Sequence, residues 1–136
     1  MFIESNGEIG IDLYIRNEGC GKIKVRLNLN DLSDEIKKSY EKHSFKLKPI
    51  TWKQNNDLTR ESLVNRGPGV GVEWDWVMHK EKKLCMILKG WDAKDKDGKA
   101  VPLNEENIFK LSPNVAETLL DEFDKRTLIN DEERKN

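Results

Sequence analysis

Apolar and polar residues alternate along residues 9 to 29. Ile9, Ile11, Leu13 and Ile15 are separated by Gly10, Asp12 and Tyr14; after the turn NEGCG, Ile23, Val25, Leu27 and Leu29 alternate with Lys24, Arg26 and Asn28. A strand points successive side chains to opposite faces, so this period of two predicts a β-hairpin with one buried and one wet face. A lone hairpin is marginal in water. Its apolar face needs cover from helices further along the chain.

The pattern then changes. NDLSDEIKKSYEKH predicts a short helix over 33 to 43: Ser33 or Asp31 can cap it, Asp34 and Glu35 suit the positive end of its dipole, and Ile36 and Tyr40 lie one turn apart. FKLKPITWKQ returns to alternation through Phe45 and Leu47, and Lys48 before Pro49 is expected to be non-helical. Thr51 followed three residues on by Gln54 is a capping box and predicts a helix over 51 to 65. RGPGVG then interrupts the chain and reads as a flexible linker or hinge.

Residues 72 to 91 carry two signals. Val72, Trp74, Trp76 and Met78 alternate as a strand would, yet positions 74, 77, 81, 84, 88 and 91 form a helical stripe. HKEKK has no turn former and is rich in helix formers, so one helix is expected here in preference to a second hairpin. Asp97-Gly98 predicts a tight turn, and Asn104 or a neighbour caps a short helix in NEENIFKL. Ser112-Pro113 opens a last helix whose face is Val115, Ala116, Leu119, Leu120 and Phe123, with Lys125 and Arg126 at its C-terminal end. The expected fold is α+β: an N-terminal antiparallel hairpin or small sheet followed by four or five short helices. One domain is expected over residues 1–129, with 130–136 a charged, disordered tail.

Composition narrows the function classes. The chain has 136 residues, 36% hydrophobic and 36% charged, which suits one domain with a core. Lys plus Arg total 24 against 25 Asp plus Glu, a net charge of −1. That sum offers no basic field, so no nucleic-acid partner is expected. Cys20 and Cys85 form no CxxC pair and read as free thiols of a reducing cytosol. The N-terminus MFIESNGEIG lacks the basic and apolar regions of a signal peptide, and no apolar run is long enough to span a bilayer. A bacterial host cytoplasm, with no membrane partner, is the expected setting.

No catalytic, cofactor or metal site is expected. Placing Gly98 at position 6 of a calcium loop puts Asp95 and Asp97 correctly, but Ala93 and Asn104 then fall where the first and the bidentate ligand should be. The glycines at 67, 69 and 71 have neither dinucleotide-loop nor phosphate-loop spacing. His43 and His79 have no ligand partner at a metal spacing, and Cys85 in LCMIL reads as core rather than as half of a Cys–His pair.

Four tryptophans remain. Trp52 and Trp91 adjoin element boundaries and are expected to pack inward, whereas at least one of Trp74 and Trp76 is expected at the surface. Trp74, Trp76, Val115, Leu119 and Phe123 are the candidate partner contacts.

Two longer stretches carry a resemblance. FKLKPITWKQNNDLTRESL pairs an extended segment with a polar helix through Leu47, Pro49, Thr51 and Trp52. KGWDAKDKDGKAVPLNEENIFKLSPNVAETLLDEFDK carries Trp91, Asp92, Asp97, Gly98, Pro102, Asn104, Glu106 and Asn107. Over residues 45 to 65 and 84 to 126 the chain resembles small phage and prophage tail assembly chaperones and tail-region proteins. The resemblance implies a helix over 73 to 90 and a non-enzymatic assembly factor. It would contact a tail client, the tape-measure or tube protein, and associate with itself. Two alternatives stay open: a structural tail component of the virion, such as a terminator or connector, and a small host-directed regulator.

Overall fold

In the computed structural model, which describes residues 7–127, the first alternating stretch forms the expected hairpin. Strand β1 (Ile9–Gly19) pairs antiparallel with β2 (Lys22–Arg26). The turn between them takes positive φ at Gly19, Cys20 and Gly21, which glycine does freely and cysteine does not. The second strand is shorter than the alternation suggested: Leu27 and Leu29 lie beyond it, and Leu27 is exposed.

β1 is much longer than β2, so it has room for a second neighbour. The helix expected over 33 to 43 gives way there. Only α1 (Asp34–Lys37) is helical, capped by Ser33, and β3 (Glu41–Leu47) pairs with β1 from Ile9↔Leu47 to Ile15↔Glu41. Ladder bonds to a waiting strand outweigh the weak helix preference of YEKH. A fourth strand, β6 (Leu88–Trp91), joins β3 at the far edge, giving the order β2-β1-β3-β6, all antiparallel. The fold is α+β, as expected, with five helices among the described residues.

Helix α2 (Trp52–Ser62) starts at the expected capping box: Thr51 accepts from the Gln54 amide and the Gln54 side chain accepts from Thr51 N–H. It ends earlier than expected, because Leu63–Asn65 becomes strand β4, paired with β5 (Val72–Trp74). RGPGVG is therefore the closed loop of a small hairpin rather than a hinge. Arg66 N–H donates to Gly71 O at 2.8 Å, and Gly67, Gly69 and Gly71 supply the positive φ that the loop requires.

The single helix expected over 72 to 91 is corrected to three elements: β5, α3 (Trp76–Ile87) and β6. The start is set by Asp75, whose carboxylate accepts from the Met78 amide as an N-cap. The end is set by the sheet: Leu88 turns extended (φ −77°, ψ 116°) and pairs with Leu47. The helical stripe and the strand alternation were both real, each over part of the stretch.

Residues 93–104 make the expected turn. Asp95 and Lys99 lie between a bridge from Lys94 to Ala100, Gly98 has φ +79°, and Asn104 caps α4 (Glu105–Ile108). α5 (Pro113–Thr127) closes the core, and it is fastened to the sheet near both ends. Asn114 Nδ2 donates to Ile23 O on β2 at 2.7 Å, and Arg126 Nη1 donates to Gly10 O on β1 at 2.8 Å.

The core lies between one face of the sheet and these helices. Ile11, Leu13, Phe45, Leu47 and Leu88 meet Leu84 and Ile87 of α3, Ile108 of α4 and Val115, Leu119, Leu120 and Phe123 of α5. Each large side chain buried there stabilises the fold by about 1.5–3 kcal/mol. No helix among the described residues is long and apolar enough to cross a membrane. The tail expected over 130–136 lies outside the described residues.

Candidate partner-binding surface

The five candidate contact residues divide. Val115, Leu119 and Phe123 are buried under the sheet, so they build the core and are closed to a partner. The amphipathic pattern of α5 showed an apolar face but not which neighbour that face meets, and the sheet meets it. Trp74 is half-buried and Trp76 is 70% exposed. The expectation for Trp52 is also corrected. At the first position of α2 its side chain projects outward, 83% exposed. Trp91 does pack against the core, opposite Phe45, and its Nε1 donates to Val101 O at 2.8 Å.

Trp74 and Trp76 meet edge to face, ring centroids 5.5 Å apart, and His79 lies 4.8 Å from the Trp74 ring. The β5 strand delivers Trp74, and the first turn of α3 delivers Trp76 and His79. The Trp74 Nε1 is buried and has no hydrogen-bond partner among the described residues. Burial, with Lys83 nearby, holds the His79 ring below its usual pKa, so the neutral form is favoured.

Beyond this cluster runs an apolar groove of about 480 Å³ between α3, α4 and α5. Its floor includes Leu84, Ile108 and Leu120, and Val77 and Phe109 stand at its sides, 62% and 51% exposed. Lys80 and Glu117, joined at 2.8 Å, and Glu81 add charges of both signs. A second hollow on the far side of Phe109 is lined by Met78, Cys85 and Met86. Phe109 thus stands between two grooves, a geometry suited to apolar side chains of a partner with a mixed-charge surface.

Sequence reasoning missed Val77 and Phe109. Val77 does belong to the helical stripe that also contains positions 81 and 84, and that stripe faces the groove. Phe109 follows α4 with no periodicity of its own, so nothing in the sequence marked it.

Other features have local roles. Ser62 is fully buried; its hydroxyl donates to Leu58 O at 2.6 Å and lies 3.1 Å from His79 Nδ1. A nucleophile needs access to substrate, so this pair reads as a structural tie rather than a dyad. Burial and nearby Glu105 and Glu81 push the Cys85 thiol up, away from the thiolate that reactive cysteines use. The Asp95 carboxylate accepts from the amides of Asp97 and Lys99 and so shapes its own turn. Among the described residues, no three His, Cys, Asp or Glu side chains gather as a metal would require.

No family model matches this chain, and neither a curated protein nor a solved structure matches it.

Proposed function

We propose that the protein is a non-enzymatic binding module that works by contact with another protein through the α3–α4–α5 groove. The observation that carries this is the exposure of Val77 and Phe109 at the sides of an apolar groove, with the exposed Trp76 next to Val77 in the chain. Large apolar side chains left in water beside a concave apolar surface are the usual mark of a partner site. The resemblance of residues 45 to 65 and 84 to 126 to phage tail assembly chaperones supplies the partner: a long helical tail client, the tape-measure protein, held until the tube protein displaces it. A helix can lay apolar side chains at i, i+3, i+4 and i+7 into such a groove, with Lys80, Glu81 and Glu117 meeting charges at its edges.

The test is the mass in solution, measured by light scattering, of the chain alone and mixed with the tape-measure protein encoded nearby. The expected result is a soluble complex, lost in a Trp76→Ala, Phe109→Ser double variant that keeps the wild-type fold. A wild-type chain that stays the same size in the mixture overturns the proposal. Recovery of the chain in purified particles would assign it to the virion structure instead.

A further inference from the structure

The two faces of the sheet differ sharply. One is the core; the other carries the polar half of every alternation. Register fixes which residues share it. Tyr14 of β1 stands opposite Arg26 of β2 and opposite Lys42 of β3, so a ring lies between two cations in one row across three strands. One step along, Arg16 stands opposite Lys24, and its guanidinium lies over the Tyr40 ring at 5.1 Å. Toward the other end Lys46 stands opposite Gly10 and Gly90. A Cβ at Gly90 would come within 3.3 Å of the Lys46 Cβ, so the glycine gives the lysine stem room to lie along the sheet.

Three of these five cations have carboxylate partners: Arg16 with Glu18, Lys42 with Asp12, and Arg26 with Asp31. Among the described residues Lys24 and Lys46 have none within ion-pair distance, and both are exposed. The net charge of −1 hides this, because it sums over faces that point in different directions. Cations along the strands and two half-buried tyrosines among them match what a single-stranded nucleic acid presents: phosphates and unstacked bases. A duplex hides its base faces, so it would leave the tyrosines without a role.

We infer that this outer face of the four-stranded sheet docks single-stranded nucleic acid, with Lys24 and Lys46 on phosphates and Tyr14 under a base. The register places Tyr14, Lys42 and Lys46 on the face turned away from the core, while Lys24, on the edge strand β2, also borders a hollow against α5.

The test is fluorescence anisotropy of a labelled oligothymidylate of about 12 nucleotides, a length that spans one such platform. Inorganic polyphosphate serves as a competitor without bases. Binding is expected to weaken with salt, and each lysine removed is expected to lower the log–log salt slope by roughly 1. Lys24→Ser with Lys46→Ser is expected to weaken binding at least about tenfold, with the circular dichroism spectrum unchanged because both side chains are exposed. Tyr14→Leu is expected to weaken the oligonucleotide about tenfold while leaving polyphosphate competition as it was. Trp76→Ala, on the other surface, is expected to change neither. No saturable binding at low salt, or binding that survives the double lysine variant, overturns the inference. Equal loss for oligonucleotide and polyphosphate in Tyr14→Leu also overturns it, since that face would then bind polyanions without reading bases.

Discussion

The Ser62 hydroxyl and His79 Nδ1 lie 3.1 Å apart and tie the last turn of α2 to the first turns of α3. Ser62 donates its own proton to Leu58 O. It can therefore only accept from the ring, which assigns the hydrogen to Nδ1 and leaves Nε2 bare. The tie holds the β4–β5 hairpin between two helices and keeps Trp74 against His79.

The burial of His79, rather than the tie itself, is expected to make stability depend on pH. Burial and Lys83 lower the His79 pKa, and Asp124 opposes them only in part. The folded state thus takes up a proton less readily than the unfolded chain, where the ordinary value is 6.5. The contribution is fully present above that value and is lost as pH falls through the lower folded pKa. Thermal unfolding measured between pH 7.5 and 5.5 should show a falling Tm that flattens in His79→Gln. An identical slope in the variant would refute the assignment.

Ser62→Ala removes the acceptor and leaves a part-buried ring N–H unsatisfied. The expected cost is about 1–3 kcal/mol in urea unfolding. A neutral effect would mean that water replaces the hydroxyl.

The exposed aromatic surface and the core should separate by stability. Trp76→Ala removes an exposed ring and is expected to change stability by no more than about 0.5 kcal/mol. Leu119→Ala opens a cavity under the sheet and is expected to cost about 2–5 kcal/mol. Equal costs would show that Trp76 is buried in solution, and the proposed contact surface would fall with it.

The two cysteines should react at different rates. Cys20 is exposed at the tip of the β1–β2 turn, whereas Cys85 is partly buried with its thiol pKa raised. Labelling with a disulfide reagent at mildly alkaline pH is expected to proceed in two phases, the slow one removed by Cys85→Ala. A single fast phase for both thiols would contradict the burial of Cys85.

Cys20 also carries strain that its glycine neighbours do not, at φ +52°. Asparagine tolerates this region better. Cys20→Asn is expected to raise stability by roughly 0.5–1 kcal/mol, read as a higher urea midpoint with an unchanged slope.

The sequence by itself determined what depends on near neighbours. The alternation of Ile9 to Ile15 made a strand, the Thr51–Gln54 box started α2, Asp97-Gly98 made a turn, and Ser112-Pro113 opened α5. Each is a contact within a few residues, so its energy is written locally. Asp75 also acts locally, as the cap of α3, but it sits in a tryptophan alternation that disguised it. Tertiary structure decided the rest. Glu41 to His43 became strand because β1 offered them a ladder from Ile9 to Ile15. Leu88 left its helix because Leu47 was there to pair with it. The α5 face went inward because the sheet needed cover, while Trp52, at the first position of α2, stayed exposed. Arg16 of β1, Lys24 and Arg26 of β2 and Lys42 and Lys46 of β3 came to share one face only when three strands aligned them. These outcomes rest on pairings between distant parts of the chain, and no local propensity encodes which partner arrives.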